Sequence, residues 1–121
     1  MSNGHIRTGQ DGEEIACSWL KDNGYQIIAR NWRAKHLEID VICLKEDQLV
    51  FIEVKTARFS SSFFPEMNLS FRKQRCLRQA ATTFCNQNPQ LCELPMRFDV
   101  IAITIYPNQN PEIYCIEDAF R

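Results

Sequence analysis

The chain has 121 residues, a length that suits one domain over residues 1–121 and excludes two independent cores. Fourteen Lys and Arg against 15 Asp and Glu leave a net charge of −1, so the whole molecule is no electrostatic magnet for nucleic acid and any such binding must come from a local patch. No apolar run approaches the roughly 18 residues of a membrane span, and Met1 to Arg7 lack the apolar core of a signal peptide.

In chain order, residues 1–8 are polar and expected to be loose. From Gly12 to about Asn23 the apolar residues Ile15, Ala16, Trp19 and Leu20 form a helical stripe. Asp11, Glu13 and Glu14 sit in its first turn, where the helix dipole favours them, and Asn23-Gly24 supplies the stop. Three extended segments follow, about 26–31, 37–44 and 48–56. Residues 57–68, with serines, Pro65 and the Phe63-Phe64 pair, read as a loop. Ser70 is placed to cap a second helix running to about Asn86, with Leu77, Ala80, Ala81 and Phe84 inward and Asn88-Pro89 ending it. Two last strands are expected over about 96–105 and 113–116. The order α-β-β-β-α-β-β describes an α/β domain, a mixed sheet flanked by helices.

Cys17, Cys43, Cys76, Cys85, Cys92 and Cys115 are scattered, without a C-x-x-C pair or zinc-ligand spacing. They read as reduced, mostly buried, small apolar residues, which puts the chain in the cytoplasm.

The informative stretch is Leu37-Glu38-Ile39-Asp40-Val41-Ile42-Cys43-Leu44, a polar gap, then Gln48-Leu49-Val50-Phe51-Ile52-Glu53-Val54-Lys55. The gap is too short for a helical crossover, so the strands should pair antiparallel. A turn at Glu46-Asp47 lets Cys43, Val41 and Ile39 face Val50, Ile52 and Val54 as a continuous apolar surface. The same register sets Asp40 opposite Glu53 and Glu38 opposite Lys55; a slip by one residue would invert both faces. Like charges directly opposed destabilise a hairpin, so two facing carboxylates behind an apolar strand pair need a reason. A divalent cation supplies one, and so few hard oxygen ligands suit Mg²⁺ or Mn²⁺. Lys55 shares the strand face of Glu53, where its ammonium would meet a reacting water or a phosphate. Glu38 would pair with Lys55 or stand in the metal's outer shell. Together these residues describe metal-assisted phosphodiester hydrolysis. A solvated sheet end carrying surface ion pairs is the competing reading of the same four side chains.

Further residues add a resemblance. Gly9-x-x-Gly12-Glu13-x-x-Ala16, Asn31-Trp32-Arg33, Glu38-Ile39-Asp40-Val41-Ile42, Val50-Phe51-Ile52-Glu53-Val54-Lys55-Thr56, Lys73 in a basic helix and Arg97-Phe98-Asp99-Val100 occur in that order. This set, over about residues 9–105, resembles the YraN-like family, small bacterial proteins regarded as endonuclease candidates. Its pattern is similar to the PD-(D/E)XK nuclease superfamily, particularly the archaeal-type Holliday junction resolvases. The resemblance implies a restriction-endonuclease-like core. It implies that Glu13 is the first-helix acid, Asp40 the metal-binding aspartate, Glu53 and Lys55 the E-x-K pair, and Lys73 or Gln74 the auxiliary polar residue. Leu37 stands where the family commonly has a small residue, and Phe63-Phe64 where it has Phe-Gly, both at the rim of the site.

Arg30, Arg33, Lys35 and His36 cluster before the second strand, Arg58 follows the lysine strand, and Arg72, Lys73, Arg75 and Arg78 lie on the second helix. Arg72 and Lys73 fall near that helix's N-terminus, where the dipole disfavours cations by a few tenths of a kcal/mol; that placement invites phosphate contact. Arg33, Lys35, Arg58, Arg72 and Lys73 are therefore the nucleic-acid-binding candidates, while Arg75 and Arg78 read as a plain solvated face. Trp32 reads as core and Phe63-Phe64 as a surface on which bases could stack. His5 and His36 have no ligand spacing. The function expected is a Mg²⁺- or Mn²⁺-dependent endonuclease on DNA, branched or structured, with a catalytically weak nucleic-acid-binding module as the alternative. DNA is the expected partner ahead of RNA, a homodimer is compatible with the sequence, and no membrane partner is expected. A plain scaffold protein is the third reading.

Overall fold

The computed structural model describes residues 8–59 and 69–121. Residues 1–7 of the expected loose terminus, and the Phe63-Phe64 pair, lie outside them. The elements are α1 (Thr8–Asp22), β1 (Gln26–Ala34), β2 (Leu37–Lys45), β3 (Gln48–Arg58), α2 (Phe71–Gln87), a short 3₁₀ turn (Leu91–Glu93), β4 (Met96–Ile105) and β5 (Glu112–Phe120). The strands form one mixed sheet in the order β1-β2-β3-β4-β5. β3 and β4 run parallel while every other neighbouring pair is antiparallel, so α2 lies in the crossover that parallel strands require. This is the α-β-β-β-α-β-β order that the sequence implies. No helix among the described residues is long and apolar enough to cross a membrane.

Local chemistry sets the boundaries. Gly24, at φ 84°, terminates α1. Ser70 Oγ accepts the Lys73 N–H at 3.1 Å and so caps α2, whose buried residues are Leu77, Ala80, Ala81 and Phe84. Glu46 and Asp47 both take positive φ, 48° and 63°, as a tight two-residue hairpin turn demands. That turn fixes the β2–β3 register at Val41↔Ile52, Ile42↔Phe51 and Cys43↔Val50. β1 and β5 run further than the sequence pattern indicates, and Ala57 and Arg58 continue β3 rather than beginning a loop.

Each sheet face has its own core. Ala16, Cys17 and Leu20 of α1 pack on Val41, Cys43, Val50, Ile52, Ile101 and Ile103. Leu77, Ala80, Ala81 and Phe84 of α2 pack on Ile39, Ile42, Leu49, Phe51 and Phe98. Ile39 thus departs from expectation: it joins the α2 core, while Val41, two residues on, joins the α1 core. Strict alternation would keep the two together. The strand turns over at Asp40, and Asn31 on β1, between Arg30 and Trp32 in the same stretch of ladder, adopts φ 50°.

A buried polar lock closes the other end of the sheet. Asp99 is only 1% exposed and accepts two bonds from Arg97, each 2.9 Å, plus the Asp118 N–H at 2.9 Å. Arg97 also donates to Gln48 and to the Tyr25 hydroxyl. The Arg97-Phe98-Asp99 motif therefore joins β3, β4, β5 and the entry to β1. The cysteines also depart from expectation. Cys85 and Cys92 form a disulfide, with Cα atoms 5.4 Å apart, because the turn after α2 folds the chain back on the helix's last turn. Cys17, Cys43, Cys76 and Cys115 are free thiols.

Candidate functional site

The site lies where β2 and β3 part. Their ladder ends at the Val41–Ile52 pair, so the expected Asp40–Glu53 and Glu38–Lys55 positions lie beyond the paired segment. There the Asp40 carboxylate replaces a backbone carbonyl and accepts the Val54 N–H at 2.8 Å. An otherwise orphaned donor is satisfied, and one carboxylate oxygen is fixed between the strands. Glu53 stands close enough for its charge to act on Asp40, with weaker contributions from Glu13 and Glu38. Burial first, and the Glu53 charge second, push the Asp40 carboxyl up to about 7, against the opposing pull of the Val54 N–H.

Two helices bring the remaining groups. A Cβ built on Gly12 would lie 1.7 Å from Thr56 Oγ1, so only glycine lets the start of α1 press on β3, and Glu13 is carried toward Asp40 with it. Arg30 grips Glu14 at 2.8 Å and ties α1 to β1. From the other side, Lys73 Nζ of α2 lies 3.3 Å from Glu53, whose side chain is 13% exposed against 44% for the lysine. Lys55, two residues past Glu53 on the same strand side, lies beside Ala102 of β4 in the parallel ladder.

The structure thus brings together Asp40, Glu53, Glu13 and Lys73, with Lys55 on the adjoining stretch of β3. It sends other candidates elsewhere. Glu38 bridges its cross-strand partner Arg33 at 3.1 Å. Gln74 donates to the Leu69 carbonyl at 3.0 Å and holds the approach to α2. Arg58 lies 4.0 Å from Asp11 of α1, Arg72 is exposed on the first turn of α2, and Arg33 and Lys35 line a separate cleft. The Val54 amide is a functional group that sequence reasoning misses, because a backbone donor leaves no trace in residue identity.

Among the described residues, no three His, Cys, Asp or Glu side chains form a closed ligand group. The donor set is a pair of carboxylates, one of which holds its proton well above the usual carboxylate range. Such a pair fits a hard divalent ion that keeps open positions, as Mg²⁺ does when it binds through one or two carboxylates.

Comparison with known proteins adds a family. The profile of uncharacterised protein family UPF0102 matches residues 12–103. A UPF0102 protein of Chloroherpeton thalassium is 37% identical over 126 residues, covering 98% of this chain and 97% of its own. One from Rhodococcus opacus is 37% identical over 116 residues, covering 96% of this chain and 98% of its own. A third, from Pelobacter propionicus, is 42% identical over 116 residues, covering 94% and 82%.

Proposed function

The chain belongs to uncharacterised protein family UPF0102, the YraN family that its motifs resemble, and from that premise we propose that it is a Mg²⁺- or Mn²⁺-dependent endonuclease acting on DNA, branched or structured. The observation that carries this reading is the nearness of Asp40 and Glu53, whose charges act on each other where the β2–β3 ladder ends, with Lys55 on the same strand side as Glu53. Asp40 and Glu53 would hold the cation, which when bound supplies charge neutralisation at phosphorus and an acidified water. The chain's own residues do the rest. Val54 fixes one oxygen of Asp40 and leaves the other for ligation. Lys73 offsets the Glu53 charge until substrate and metal arrive. Lys55 contributes a cation for the phosphate as negative charge builds there. Glu13 adds an acid from α1.

A nucleic-acid-binding module with little or no cleavage is the second reading. It draws on the Lys73–Glu53 ion pair, which gives one carboxylate an internal cation. The deciding experiment is cleavage of a panel of four-way, flapped, duplex and single-stranded DNAs, each with Mg²⁺ and with Mn²⁺. Cleavage of any member that stops on chelation supports the nuclease. Binding without cleavage of any member leaves the module.

A further inference from the structure

The β1–β2 turn and the outer face of α2 enclose a cleft of about 820 Å³. Arg33, Lys35 and His36 stand on one wall and Arg75, Arg78 and Gln79 on the other. No carboxylate among the described residues lines it, in a chain whose net charge is −1. Four of the chain's 14 Lys and Arg residues therefore meet at one cleft. Arg33 shares its charge with Glu38, and Arg78 is anchored on the Arg121 carbonyl and the Phe120 ring. Among the described residues neither Lys35 nor Arg75 has an ion-pair partner.

The backbone adds a second observation. Lys35 adopts φ 57° in the turn, a left-handed conformation that glycine or asparagine takes with less strain than other residues. The cation sits at the tip against the local preference of the chain. The cleft is also connected to the carboxylate pair: α2 carries Lys73 at Glu53 and Arg75 and Arg78 in the cleft. At about 1.5 Å per helical residue, these arginines lie roughly 3–8 Å beyond Lys73 along the axis, about one or two nucleotide steps of a strand.

We propose that this cleft is a second nucleic-acid subsite, which holds the phosphodiester backbone of the substrate one or two nucleotides from the reacting phosphate. The proposal rests on the nucleic-acid reading of the carboxylate site, and adds to it that the substrate must extend past the cut on the side of α2. Arg75 and Arg78, which the sequence pattern assigns to a solvated face, then contact phosphate. Lys35 is the turn's contribution.

The test uses fluorescence anisotropy with a labelled DNA duplex of about 20 base pairs, in chelator so that nothing is cut, over a salt series. The variants are the double substitution Lys35→Asn with Arg75→Gln, and the single Lys35→Arg. Losing two phosphate contacts should weaken binding about tenfold at low salt and reduce the slope of log affinity on log salt by about two. Lys35→Arg should bind like wild type. Lys35→Asn should melt no lower than wild type, because asparagine suits the left-handed turn, so loss of affinity is not loss of fold. If wild type binds and the double variant matches it in affinity and slope, the subsite is overturned while the carboxylate reading stands. If wild type fails to bind even at low salt, both fall.

Discussion

The Asp40 carboxylate accepts the Val54 N–H at 2.8 Å, a side-chain oxygen standing where the next backbone carbonyl of the β2–β3 ladder would be. The substitution opens the sheet locally. Beyond it Ile39 crosses to the α2 core, and Asp40 is left between two helices with Glu53 at hand. The strand break and the site are one feature: a continuous ladder would turn the aspartate to one face and leave no gap for a ligand.

That geometry sets a pH dependence. Asp40 ionises near 3.8 in an unfolded chain and at about 7 in the fold. Between those values the folded state keeps a proton that the unfolded state has lost, so apo stability should fall as pH rises from about 4 to about 7. Asp40→Asn keeps an oxygen for Val54 and removes the charge. It should flatten this profile and be more stable at pH 8 by between about 1 and 4 kcal/mol. Urea unfolding from pH 4 to 8 in chelator measures it, and superimposable profiles for the two proteins would refute the burial of an Asp40 charge.

Gly12 makes a separate prediction. A Cβ there would lie 1.7 Å from Thr56 Oγ1, so Gly12→Ala must push α1 off β3, an overpacking cost of about 1–3 kcal/mol. Thr56→Gly in the same chain should recover most of the loss, since it removes the side chain the new methyl meets. Thermal melts of the single and double variants check this; equal melting of Gly12→Ala and wild type would contradict the close approach.

Much of the frame is legible in residue types alone. The hydroxyl of Ser70 and the helical spacing of Leu77, Ala80, Ala81 and Phe84 define α2, because capping and burial both act within a few residues. The β2–β3 register is legible because a one-residue slip would bury charge and expose Ile and Val. The turnover at Asp40 is not, since alternation assumes an unbroken ladder and a backbone amide has no sequence signature. Nor is the Cys85–Cys92 bond, whose spacing matches no motif and whose closure depends on the turn after α2. The pairing of Arg75 with the cleft is hidden for a third reason: the opposing Lys35 is brought over by tertiary packing alone.

Lys73 competes with a cation for Glu53. Removing it with Lys73→Met should tighten Mn²⁺ binding by about two- to fivefold, the equivalent of the 0.5–1 kcal/mol of a half-exposed ion pair. The same variant should lose a little stability in chelator, as Glu53 is then left facing Asp40 uncompensated. Titration calorimetry with Mn²⁺ gives the first effect and urea unfolding the second. Weaker Mn²⁺ binding in the variant would mean that the lysine supports the site instead of screening it.

Lys55 separates an enzyme from a binding module. Both readings expect DNA affinity that falls with salt, because each phosphate contact releases counterions, and Lys55 is at most one such contact among several. Only the enzyme needs its charge at the phosphate in the transition state, where one well-placed cation is worth about 10²–10³ in rate. Lys55→Ala should therefore lower single-turnover cleavage at saturating substrate by at least that factor while weakening binding only about two- to threefold. Charge reversal at exposed Arg72 should do the opposite, reducing affinity and sparing the saturated rate. Parallel losses of rate and affinity in Lys55→Ala would make the lysine a binding residue, and the chemistry would then have to come from Asp40, Glu53 and Glu13 without it.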